Sequence, residues 1–314
     1  HQEVEQALNA IGERVEGSSI HDITNLIQIQ RKNRFWRDGP ILETALSALE
    51  MALWDLKGKL LGAPVHDLLG GRVRERVRVY RNLWGRSPEE FADSAKEAIS
   101  NSMTAVKVSP AGPTPDVISR VQLDEMEAVV SAVRDAVGPA VDLAIDLHGR
   151  LTPAASRRAI HALSKYDPFF IEEPCLPDGS ASHLADLRAL RTAQPVAIAT
   201  GERLRSAHAF AEHLLPSPVV DIIQPDVSMV GGIRASVEIG AMASAAQVAM
   251  APHCPYGPVQ FAASMQVAAT SPAHLIQEFQ SLGGAGSGGG TPGGGQNWAF
   301  ELLSKPFAIE SGHI

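Results

Sequence analysis

Cysteine is almost missing from this chain. Cys175 and Cys254 are the only two in 314 residues. So few thiols exclude a disulfide framework and point to a reducing, cytoplasmic compartment. Basic excess is missing too. The net charge is −8, which leaves no basic surface for nucleic acid or an anionic membrane. No apolar run reaches the roughly 20 residues of a membrane helix, and no signal-peptide pattern is present. There is no P-loop, no G-x-S-x-G and no paired CxxC. An acidic protein that takes an anionic substrate then needs local positive charge, such as a metal ion.

Apolar residues make up 45% and charged residues 20%, ordinary for a soluble globular protein with a large core. Residues 1–70 carry helical spacing. Leu42, Ala45, Leu46, Leu49, Leu53 and Leu56 form one stripe, and Gly62 and Pro64 are stop signals. No strand alternates with these helices, so residues 1–72 are expected to be the helical part of a separate domain. His1 falls inside a helical stretch, and the last segment, FAIESGHI, resembles an interrupted strand. The natural chain is therefore expected to extend beyond both ends.

From about residue 75 the rhythm changes. Eight strand candidates follow: 77–84, 104–109, 141–146, 168–172, 196–202, 219–226, 248–253 and 274–278. Helical stretches separate them, at 87–101, 121–137, 153–166, 183–192, 206–215, 232–247 and 259–270. The first of these opens on Ser87 with Glu90 three residues on, a capping-box pattern. Eight alternations predict an α/β chain whose residues 73–314 form a (β/α)8 TIM-like barrel. Residues 283–295, with nine glycines, are predicted to be a mobile loop near the barrel mouth.

The strands end on a ladder of charged residues: Asp146, Glu172, Glu202, Asp226, His253 and Glu278. The steps are 26, 30, 24, 27 and 25 residues, about one strand, one helix and two loops each. Polar groups at matched strand ends imply one shared rim, where barrel enzymes carry their chemistry. One acidic residue near a loop is ordinary surface charge. Three carboxylates on strands about 5 Å apart repel without a counter-ion, so Asp146, Glu172 and Glu202 predict a metal centre. Hard oxygen ligands without a thiolate or histidine cluster favour Mg²⁺ over zinc. Glu173 follows Glu172, and neighbours on a strand face opposite ways. The 26-residue step selects Glu172, with Glu173 as its local rival.

His148 lies two residues past Asp146, so the period of two aims both at the mouth. His253 ends strand seven, opposite strand three. Asp226 beside it predicts a base dyad, the alternative being a loop cap in QPDVS. Glu278 is placed to hydrogen-bond a substrate carboxylate or enolate if protonated. Lys107 ends strand two, placed to neutralise an enolate oxygen or pair with a carboxylate ligand. Cys175 and Cys254 are expected to be small rim residues, and His161, His183, His208 and His213 structural or surface histidines.

At these residues the chain resembles the enolase superfamily, in its mandelate-racemase-like branch and its galactonate-dehydratase-like group. The resembling segments are 44–70, IDLHGR (145–150), FIEEP (170–174), GER (201–203), QPDVSMVGG (224–232), APHCPYGP (251–258) and LIQEF (275–279). The resemblance implies an N-terminal α+β capping domain of which only the helices are expected here. It implies Mg²⁺ on Asp146, Glu172 and Glu202, chelating the carboxylate of an acid sugar and stabilising an enediolate. It further implies that His253 takes the α-proton and His148 protonates the leaving β-hydroxyl. The expected partners are a small acid-sugar substrate and further copies of the chain in a homo-oligomer. The Lys-x-Lys pair of many racemases in the branch is incomplete here, as Lys107-Val108-Ser109. Two alternatives stay open: a racemase or epimerase using His148 and His253 as opposed bases, and a catalytically silent metal-binding protein.

Overall fold

The computed structural model describes residues 2–35, 37, 39–177, 180–193, 195–279, 303–305 and 307–314. The glycine-rich segment 283–295 lies outside the described residues. Eight strands form the sheet: β1 (Val79–Asn82), β2 (Ala105–Val108), β3 (Asp142–Asp146), β4 (Ile171–Glu172), β5 (Ile198–Thr200), β6 (Ile222–Ile223), β7 (Ala249–Met250) and β8 (Gln277–Phe279). Every pairing is parallel, each strand beside its sequence neighbour, and β8 pairs β1. A parallel bridge between Met250 and His274 joins β7 to the approach of β8. The ring of eight therefore closes, which leaves no free sheet edge.

Helices α1 (Gln2–Val15), α2 (Ile23–Lys32), α3 (Pro40–Leu61) and α4 (Val65–Leu68) precede the barrel. Around it run α5 (Pro88–Ser100), α6 (Arg120–Val137), α7 (Pro153–Leu163), α8 (Ala181–Ala193), α9 (Ala207–Leu214), α10 (Ile233–Ala245) and α11 (Pro258–Thr270). Local chemistry sets their ends. α3 starts on Pro40, whose missing N–H costs nothing there, and stops at Gly62 in the left-handed region. Ser87 caps α5 through Glu90 N–H, but the Glu90 carboxylate accepts from Arg86 N instead of closing the expected box. The complete reciprocal box is at Ser119 and Gln122, opening α6.

The α3 stripe is only partly apolar-inward. Ala45 and Leu46 are fully buried, in a small core with Ile11, whereas Leu56 is 46% exposed. The face of α3 that the stripe leaves out buries Glu43, Ser47, Glu50 and Trp54.

Two apolar layers follow from the period of two. Val106, Val108, Ile145, Ile171, Ile198 and Ile223 face the helices, each worth about 2 kcal/mol of burial. Tyr80, Ala105, Ala144, Phe170, Ala199, Ile222, Ala251 and Ile276 fill the barrel interior, one per strand position. Below them, Val77 and Val79 bond to the carbonyls of Ile314 and Gly312. The FAIESGHI segment thus closes the N-terminal end of the barrel through antiparallel bridges rather than a strand.

Candidate active site

Counting two residues up each strand from the interior layer gives the floor of the mouth. Tyr80 leads to Asn82, Ala105 to Lys107, Ala144 to Asp146, Phe170 to Glu172, Ile222 to Gln224, Ala251 to His253 and Ile276 to Glu278. The same pleat that hides apolar groups below aims polar groups inward above. β5 is the exception, because two residues beyond Ala199 stands Gly201. Its φ of +138° turns the chain, and a Cβ there would come 2.8 Å from the Phe210 ring and 2.9 Å from Gln224 N. Only glycine fits, and the turn delivers Glu202 to the level of its neighbours.

Asp146, Glu172 and Glu202 are all buried, and one oxygen from each lies within 4.8 Å of the others. Glu172 Oε2 accepts from Lys107 Nζ at 2.7 Å, while Oε1 is buried without a hydrogen-bond partner among the described residues. Burial pushes the Glu172 pKa up, and the charges of Asp146 and Glu278 add to that despite Lys107. Burial pushes on Asp146 in the same sense. There, bonds from His148 and the charge of Lys107 outweigh it and hold the pKa low. An orphaned oxygen beside two more carboxylates is a donor set that fits a hard divalent cation.

Glu173 points the other way. It accepts from Thr200 Oγ1 at 2.5 Å and Gly201 N at 3.1 Å, and pairs with Arg203 at 3.2 Å. It braces the glycine turn that presents Glu202. Arg203 also contacts Glu202 and donates to the His148 carbonyl at 3.1 Å. Three successive strand ends are tied by this one guanidinium.

His148 is brought beside Asp146, but not by strand periodicity. β3 ends at Asp146, and His148 sits in the left-handed region with φ +54°. The turn is held by its own N–H on Asp146 Oδ1 at 2.7 Å, and Nε2 lies 3.0 Å from Asp146 Oδ2. Its Nδ1 has no hydrogen-bond partner among the described residues.

Across the barrel, His253 Nδ1 lies 2.8 Å from Asp226 Oδ2, and Nε2 lies 3.4 Å from Glu202 Oε2. Burial favours the neutral ring, yet Asp226 and Glu278 prevail and raise its pKa. Asp226 also accepts from Gln260 Nε2 at 2.8 Å and Ser228 N at 2.7 Å. It thus serves the dyad and caps its loop at once.

Glu278 is held as a carboxylate rather than the acid considered from sequence. Lys107 at 3.1 Å, Asn82 at 2.7 Å and Cys254 N at 2.6 Å all donate to it. Burial opposes its charge, but Lys107, His253 and these donors leave its pKa below the ordinary value. Lys107 pairs with Glu172 and Glu278, and its ammonium lies 5.2 Å from the centre of the Tyr80 ring. Burial disfavours its charge, and the surrounding carboxylates more than restore it. Both cysteines are buried, and burial pushes the Cys254 thiol up, away from nucleophilic use. His183 and His213 are buried with ring centres 5.8 Å apart.

Asn82, Arg203, Gln260 and Tyr256, whose ring meets His253 edge-on at 6.0 Å, are additions to the sequence-derived set. Asn82 lies 25 residues before Lys107. One ordinary step back from Lys107 finds it.

Comparison with known proteins gives the family. Residues 2–70 match the mandelate racemase/muconate lactonizing enzyme N-terminal domain, and residues 90–314 match the enolase C-terminal domain-like family. A D-gluconate dehydratase of Thermoproteus tenax is 42% identical over 86% of this chain and 52% of its own length. A D-galactonate dehydratase of Variovorax paradoxus is 38% identical over 89% of this chain and 72% of its own. The chain thus spans about half of the first relative and about three quarters of the second. The solved structure of a mandelate racemase/muconate lactonizing enzyme-like protein from Rubrobacter xylanophilus superposes with a TM-score of 0.87. It is 29% identical, covering all of this chain and 82% of that one. The chain belongs to the enolase superfamily, in its mandelate racemase/muconate lactonizing enzyme group.

Proposed function

We propose that this protein is a Mg²⁺-dependent acid-sugar dehydratase, taking an aldonate such as galactonate or gluconate to a 2-keto-3-deoxy acid. The observation that carries the reading is the placement of two histidines on opposite strands around one carboxylate triad. His148 contacts Asp146 and His253 contacts Glu202. The relatives named as gluconate and galactonate dehydratases support the substrate class. Residues 1–72 act as the helical part of a capping domain and 73–314 as the catalytic barrel.

Asp146, Glu172 and Glu202 hold the cation. When bound, it supplies positive charge that steadies negative charge on the substrate carboxylate as the α-proton leaves. His253 Nε2 takes that proton, with Asp226 fixing its tautomer through Nδ1. The bond from the β-carbon to its hydroxyl then breaks. The departing oxygen takes a proton from His148 and leaves as water, and the enol ketonises. Lys107 and Glu278 hold the charge balance beside the reacting carbons. Incubation with Mg²⁺ and a panel of aldonic acids, read by 2-keto-acid formation, tests the reading. Product from at least one sugar acid is expected. Deuterium uptake at the α-carbon without loss of water would instead make the enzyme an epimerase. Turnover confined to a non-sugar carboxylate would sink the acid-sugar assignment.

A further inference from the structure

The seven residues from Asp226 to Gly232 join the base dyad to the N-terminal helices. At one end, Asp226 holds His253, and its backbone carbonyl accepts from Met229 N at 2.9 Å and Val230 N at 3.0 Å. At the other end, the loop is gripped by α3. Gly231 N donates to Ser47 Oγ at 2.9 Å, and Ser47 Oγ donates to the Glu43 carbonyl at 2.6 Å. Glu43 is itself buried and pinned by both nitrogens of an Arg31 fork, at 2.9 and 2.7 Å. Beyond Gly232, Glu50 Oε2 accepts from Ile233 N at 2.7 Å. Its Oε1 accepts from Arg234 N at 2.9 Å and Trp54 Nε1 at 2.8 Å.

A buried carboxylate on the first N–H groups of α10 is a strong, directional clamp. The fit is close. A Cβ on Gly232 would sit 2.0 Å from Glu50 Oε2, and one on Gly231 would sit 2.8 Å from Arg31. Both glycines have positive φ, +104° at Gly231 and +93° at Gly232. With both ends held and the turn compact, a shift of α3 must move either Asp226 or the start of α10.

We infer that Glu50 and Ser47 are positioning residues for the Asp226–His253 dyad, so that the N-terminal helices set the aim of the catalytic base. The inference rests on the dyad reading in the proposed function. Glu50→Gln is the sharp variant. It keeps the shape but turns an NH₂ group toward N–H donors that need an acceptor. Leu46→Ala is the control, because Leu46 packs in the small core with Ile11 and Ala45 and its side chain offers the loop no hydrogen bond.

The readout is the downfield His253 Nδ1 proton in the nuclear magnetic resonance spectrum of the metal-free full chain, assigned by its loss in His253→Asn. Glu50→Gln is expected to shift or broaden it, while Leu46→Ala lowers Tm and leaves it in place. In turnover, Glu50→Gln is expected to lose roughly tenfold to a hundredfold, with no further loss in an Asp226→Asn background. An unmoved resonance in Glu50→Gln, an equal shift in Leu46→Ala, or no such resonance in the wild type overturns the inference. If the resonance responds but Asp226→Asn keeps full turnover, the clamp stands and the dyad's role in the proposed function falls.

Discussion

The two ends of the barrel solve opposite problems with the same strands. At the C-terminal mouth, Asp146, Glu172, Glu202, Asp226 and Glu278 are buried together with Lys107, and Glu172 Oε1 is left unbonded. At the N-terminal end, charges are answered by partners. Arg74 donates to the carbonyls of Ala268 and Ser271, and Arg78 pairs with Asp142 at 2.7 Å. The one titratable misfit there is His274, buried with both ring nitrogens unbonded among the described residues. Burial first, and the nearby Arg74 second, push its pKa down to about 3. Repulsion at the mouth is kept for work on a ligand, whereas polarity at the base only has to be neutral or paired.

Breaking the mouth should cost activity and spare the fold. His253→Asn is expected to lower kcat by roughly 10²–10⁴-fold, with Tm little changed, since the Asn amide can still donate to Asp226. A parallel loss of both would mean that the mouth is structural. Asp146→Asn or Glu202→Gln should abolish Mg²⁺ binding by calorimetry, because each supplies one of three carboxylates. Undiminished binding would remove those residues from the metal centre.

The base should behave in the reverse way. His274 must stay neutral in the folded chain while its ring protonates near pH 6.5 once unfolded. Protons therefore favour the unfolded state, and stability should be full above about pH 6.5 and fall as pH drops toward about 3. The loss is on the order of 1.4 kcal/mol per pH unit once well below the unfolded value. Urea unfolding at pH 7 and pH 4.5 should show that slope, and His274→Gln should flatten it. A slope unchanged in the variant would assign it elsewhere. The smallest expected effect is Arg78→Lys, about 1 kcal/mol, read as a small drop in Tm with kcat untouched.

The barrel is legible from sequence because its two signals, apolar runs and polar strand ends, repeat at a nearly constant step. What the strand period does not explain has physical reasons. His148 reaches Asp146 through a left-handed turn, which a strand period cannot encode. Glu202 owes its place to Gly201, where the pleat count is off by one. Glu278 looked like a candidate acid because no sequence pattern counts the donors that would meet it. The face of α3 bearing Glu43, Ser47, Glu50 and Trp54 is masked by the denser leucine stripe beside it. Its spacing of four, three and four residues is as helical as theirs.

The contact between Glu50 and Gly232 bears on how such proteins can be recombined. A helical segment carrying this Glu50 fits only a barrel with no Cβ at position 232, because a Cβ there would lie 2.0 Å from Glu50 Oε2. Exchange of the N-terminal helices is then constrained by this two-residue fit.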